Sequence, residues 1–73
     1  MEKLKTEREK KGWSYQIAAE KVGISKPFYW QIENEKRRLT YELAIRLAKT
    51  FGTTPDTLLY DDVVSRMERE GRL

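Results

Sequence analysis

The sequence predicts an all-α domain, and three observations carry that prediction. Apolar and polar residues never settle into the sustained alternation of a half-buried strand, and β-branched residues are scattered. Helix start and stop residues recur five times along the chain. The clearest apolar pattern, Leu43, Ala44, Leu47, Ala48 and Phe51, has the spacing of a single helical face.

Each element follows from its own punctuation. Leu4 and Arg8 sit one turn apart in a Lys/Glu-rich stretch that stops at Gly12, which predicts a first helix over 2–11, with Trp13 as an apolar lid after it. Ser14 is placed to cap a second helix over 15–22, with Ala18 and Val22 on one face and Gly23 as a left-handed exit. Ser25 caps a third, where Pro27 is tolerated because first-turn N–H groups have no partner within the helix; Tyr29 and Ile32 face inward, and the helix ends near Asn34. Thr40 opens the fourth helix and Gly52 closes it. Thr54 and Pro55 start a fifth that buries Leu58 and Leu59. The body is read as residues 1–60. Residues 61–73 form a tail in which Val63, Val64 and Met67 share a face, so that it either extends the last helix or docks on a partner.

Composition excludes more than it specifies. A chain of 73 residues makes one domain at most. It has no Cys and no His, the side chains that dominate zinc, haem, thiol and triad chemistry, and no cleft-forming carboxylate pair stands out, so neither an enzyme nor a cofactor is expected. No apolar run approaches a membrane span, and the first residues lack a signal-peptide core, so a cytoplasmic protein is expected. No small-molecule ligand is evident. Charge is uneven: residues 1–55 carry 12 Lys and Arg against 7 Asp and Glu, while residues 56–73 carry 3 against 5. The basic body and a pI near 9.3 fit a polyanionic partner and equally fit a slightly basic solvated surface.

The informative spacing lies between residues 15 and 34. A short helix, a turn at Gly23 and a second short helix form a helix-turn-helix, with the small Ala19 permitting close approach. Ala18, Val22, Ile24, Tyr29 and Ile32 make its buried seam. Lys26, Pro27, Trp30, Gln31 and Asn34 are left on the outer face of the third helix, which can enter a DNA major groove.

In this region the sequence resembles the Cro/cI-type (XRE) helix-turn-helix family of bacterial and phage transcriptional regulators. The resemblance covers about residues 3–60. It is carried by Arg8-Glu9-Lys10-Lys11-Gly12, Ala19-Glu20-Lys21-Val22-Gly23-Ile24-Ser25, Gln31-Ile32-Glu33-Asn34 and Phe51-Gly52-Thr53-Thr54-Pro55-Asp56. It implies a compact five-helix, lambda-repressor-like fold and double-stranded DNA as the partner. Arg8 and Glu33 match a structural ion pair between the first and third helices. Lys26, Pro27 and Gln31 match base-reading positions. Gln31 suits bidentate pairing with adenine, Lys26 suits guanine O6/N7, and Pro27 offers apolar contact. Tyr15 and Ser25, near the two helix starts, match phosphate-contacting positions; Ser14 and Phe28 are grouped with them, and Asn34, Lys36, Arg37 and Arg38 are expected to grip the backbone beyond the third helix. The basic triplet also reads as a solvated loop.

Two departures from the family pattern stand out: Tyr15 replaces a common Gln, and the bulky Phe28-Tyr29-Trp30 replaces small or aliphatic residues. Tyr29 reads as core. For Trp30, added here to the base-reading face, three readings stay open: stacking on the sugar-phosphate backbone, filling a partner's pocket, and partial burial against the loop. The expected activity is sequence-specific regulation of bacterial, phage or mobile-element genes, as a repressor and a homodimer on a palindromic site. The dimer surface is sought among Leu58, Leu59, Val63, Val64 and Met67, which also read as a core-covering cap with a frayed tail. The alternative is a protein-interaction module of the same fold, such as an antitoxin or antirepressor-like adaptor, and a regulatory protein partner fits either.

Overall fold

The computed structural model describes residues 1–71 and holds five helices and no strand among them. In chain order these are α1 (Glu2–Lys10), α2 (Tyr15–Val22), α3 (Lys26–Glu33), α4 (Tyr41–Phe51) and α5 (Pro55–Arg69). α2 packs chiefly on α3 and α4 on α5, while α1 touches both α3 and α5. Their shared core holds Leu4, Ala18, Ala19, Tyr29, Ile32, Ala44, Leu47 and Leu58, all fully buried. Leu4 thus anchors a helix that is otherwise almost wholly polar.

Four of the five helices start on a hydroxyl. The side chains of Ser14, Ser25, Thr40 and Thr54 accept hydrogen bonds from the N–H of Ile17, Phe28, Leu43 and Thr57, satisfying a donor that the helix itself cannot. α1 has no such side chain at Met1. Its free Lys3 N–H donates instead to Asp61 Oδ2 of α5, at 3.2 Å. α2 closes on Gly23, whose φ of 89° is left-handed backbone that a side chain would strain.

Several elements differ from their sequence reading. α1 ends at Lys10 with Lys11 as its C-cap, one residue short of expectation. Of the two readings left open for the tail, the helix does extend: α5 runs unbroken past residue 60 to Arg69, with Asp61 and Asp62 facing inward onto partners, where Asp61 caps α1 and buried Asp62 pairs with Arg66 and accepts from the Leu39 backbone. The tail reading for residues 72–73 lies outside the described residues. Ile24, placed in the buried seam, is half-buried, since it sits in the turn rather than on a helix. Met1 and Leu39, unmarked in the sequence, are buried core residues.

Candidate nucleic-acid interface

The interface is built outward from the joint that holds α3. Arg8 Nε donates to Glu33 Oε2 at 2.9 Å and Nη2 donates to Glu33 Oε1 at 2.9 Å, a two-pronged pair in which the carboxylate side chain is 3% exposed. Arg8 Nη1 reaches the Trp13 carbonyl at 2.8 Å, and its guanidinium lies 4.4 Å from the centre of the Tyr15 ring. One side chain therefore ties α1 to the start of α2 and the end of α3. The hydrogen bond that Arg8 donates to Glu33 raises the pKa of the guanidinium and keeps it cationic. Burial, followed by the neighbouring Glu33 carboxylate, likewise raises the pKa of the Tyr29 hydroxyl, so this core phenol stays neutral.

Held this way, α3 leaves Lys26, Pro27, Trp30 and Asn34 exposed on one side while Tyr29, Ile32 and Glu33 are buried on the other. Trp30 is 40% exposed. Gln31, expected to point outward, is half-buried, because its side chain lies against Arg37 beyond the end of the helix: Arg37 Nε donates to Gln31 Oε1 at 3.0 Å. The Arg37 guanidinium lies 4.8 Å from the centre of the half-buried Phe28 ring. Lys36 and Arg38 are exposed beside it. The turn that brings this basic loop back over α3 passes through Glu35 at φ 60°, a left-handed conformation in a residue other than glycine.

The residues assigned to the DNA backbone divide by what they already do. Ser14 and Ser25 accept cap bonds through their oxygens, which leaves each hydroxyl proton free to donate to a phosphate. Asn34 Nδ2 donates to the Trp30 carbonyl at 3.0 Å, closing the end of α3. Tyr15 is a half-buried wall, with its ring 6.2 Å from Tyr29 and beneath Arg8. Phe28 packs partly on the core, so it supports the face rather than standing free of it.

Sequence reasoning missed Arg46. From α4 its Nη2 donates to the carbonyls of Val22 and Gly23, at 3.2 and 3.1 Å, and so binds the turn between α2 and α3 to the rest of the body. It lies with Arg37 and Arg38 around a hollow that also touches Ile24 and Phe28. Nothing local marks it, since in sequence it is one more cation on the polar face of α4.

Of the five residues assigned to a dimer surface, Leu58 is a correction: it is fully buried inside its own chain and offers nothing to a partner. Leu59 is half-buried against the core. Val63 is 50% exposed, with half-buried Val64 and Met67 on the same side of α5, and Tyr60, absent from the sequence reading, extends that stripe at 68% exposure. No helix among the described residues is long and apolar enough to cross a membrane.

Comparison with known proteins agrees with this geometry. Residues 4–58 match the sequence profile of a helix-turn-helix family. Among curated proteins, the chain is 41% identical over 59 residues to the HTH-type transcriptional regulator AnsR of Bacillus subtilis (strain 168). That alignment takes in 81% of this chain and 51% of AnsR, so the chain spans about half the length of the curated relative it matches. No solved structure matches. The profile match runs from Leu4 in α1 to Leu58 in α5 and takes in the whole joint among α1, α2 and α3, and on that ground the chain belongs to the Cro/cI-type (XRE) helix-turn-helix family of transcriptional regulators.

Proposed function

We propose that this chain binds double-stranded DNA by sequence, laying the outer side of α3 in the major groove, and acts as a repressor of bacterial, phage or mobile-element genes by occluding the polymerase. The observation that carries this reading is the two-sidedness of α3. Its inner residues are locked by the Arg8–Glu33 pair and the core, while Lys26, Pro27, Trp30 and Asn34 stand exposed beside a basic loop. Lys26 and Gln31 are the base readers. Ser14, Ser25, Lys36 and Arg38 position the helix by donating to phosphates, which fixes register without reading sequence. One α3 reads only a few base pairs, so affinity for an operator comes from two copies on a palindrome about one helical turn apart. The Tyr60, Val63, Val64 and Met67 stripe of α5 is the surface through which they pair.

The test is titration of duplex DNA from the protein's own genomic neighbourhood at several salt concentrations. With six or more phosphates engaged, affinity is expected to fall by about 10³-fold or more from roughly 50 to 200 mM salt, because each neutralised phosphate releases counterions. Binding without such a slope would reject the reading. A second reading, the protein-interaction module, is favoured by one observation, the 40% exposure of Trp30. It calls for protein capture that is lost in Trp30→Ala and is nearly independent of salt.

A further inference from the structure

Gln31 is not free to choose which end of its amide it shows. Arg37 Nε faces it at 3.0 Å. A guanidinium has five N–H donors and no acceptor, so the amide must meet it with its oxygen. The arginine is itself held, because its guanidinium lies over the ring of Phe28, which is partly packed on the core. The free end of Gln31 is then Nε2, with two N–H donors.

This changes what the residue can read. An unrestrained glutamine pairs with adenine by accepting from the N6 amino group and donating to N7, whereas guanine shows two acceptors, N7 and O6. With its oxygen engaged by a cation, Gln31 is a weaker acceptor for the adenine amino group. The charge of Arg37 also repels that group's hydrogens and attracts the two guanine acceptors. We infer that Arg37, seated on Phe28, is a positioning residue that turns the Gln31 amide so that it reads chiefly as a donor, and the base pair facing Gln31 is selected as guanine rather than adenine. The inference rests on the DNA-reading function proposed above and names its specificity at one position.

The experiment is selection of the full chain on a pool of randomised duplexes, followed by sequencing, for the wild type, Gln31→Ala, Arg37→Ala and Arg38→Ala. Gln31→Ala identifies the relevant base pair as the one at which discrimination collapses. There the wild type is expected to favour guanine over adenine by about tenfold. Arg37→Ala is expected to pass the preference to adenine, while Arg38→Ala weakens binding to every sequence and leaves the ranking intact. Arg37 is exposed, so its variant keeps the fold, which thermal melting verifies. A wild-type preference for adenine at that pair would overturn the inference. So would uniform weakening by Arg37→Ala with the ranking unchanged, or a Gln31→Ala variant that reads every pair as before. A pool from which the wild type enriches no sequence at all would instead remove DNA reading by α3, and this assignment with it.

Discussion

At the scale of single residues, the pair of Arg8 and Glu33 locks α3 to α1. The two charges are largely removed from water and meet through three hydrogen bonds, so removing one leaves the other without its counter-charge. Arg8→Ala or Glu33→Ala is expected to cost about 3–5 kcal/mol in chemical denaturation, and the double mutant much less than the sum. Negligible coupling in that cycle would reduce the pair to a surface contact. Asp62 behaves differently. Burial raises its carboxyl above the usual value, and the Arg66 cation and the Leu39 N–H offset this only in part, with Glu35 adding to the rise. The sign follows by linkage: an acid whose folded pKa exceeds its unfolded one binds its proton more tightly when folded. Ionised Asp62 thus lowers stability above its folded pKa, and the penalty is relieved as pH falls from there toward 3.8. Melting temperatures from neutral pH down to about 4 should therefore show the wild type gaining on Asp62→Asn, whereas a widening deficit would contradict the burial argument.

At the scale of elements, what could be read in the sequence was what is local. Ser14, Ser25, Thr40 and Thr54 each bond to an N–H three residues on, and Gly23 and Gly52 end helices by a backbone conformation that only glycine adopts freely, so each start and stop is written within a few residues. The Arg8–Glu33 pair was reached through family resemblance, since nothing local joins residues 25 apart. The contacts that were missed are all distant or pass around a turn: Lys3 with Asp61, Arg46 with Val22 and Gly23, Arg69 with the Glu35 carbonyl, and Arg37 with Gln31. The first three exist only after the helices have docked and the last only once the turn after α3 has closed, so no spacing rule announces them. The turn between α2 and α3 offers a test of that docking. A β-carbon on Gly23 would meet Arg46 Nη2 at 2.8 Å, on top of a left-handed backbone. Gly23→Ala is expected to destabilise the fold by about 1–2 kcal/mol from the backbone alone. Adding Arg46→Ala should cost less in that background than in the wild type, because the displaced guanidinium has already lost its carbonyls.

At the scale of the whole molecule, the basic loop after α3 and the apolar stripe of α5 lie on different elements, so the proposed DNA reading and the proposed pairing can be separated experimentally. Val63 is half exposed, and a charge there leaves the monomer core untouched. Val63→Glu is expected to shift the protein toward monomer in analytical ultracentrifugation. Its affinity for a two-half-site duplex should fall by about 10²-fold or more, with single half-site binding unchanged. Equal losses on both duplexes would place α5 in the DNA interface instead.

The aspartates of α5 bear on how far this protein can be shortened. Trimming after Tyr60 looks harmless in a sequence whose family resemblance ends there, yet it would strip α1 of the carboxylate that closes its first turn and the α3–α4 connection of its two anchors, Asp62 and Arg69. A chain cut at that point would keep every side chain of the proposed base-reading face and lose the frame that aims them. Chimaeras that graft this head onto a foreign oligomerisation module should therefore be spliced beyond Arg69.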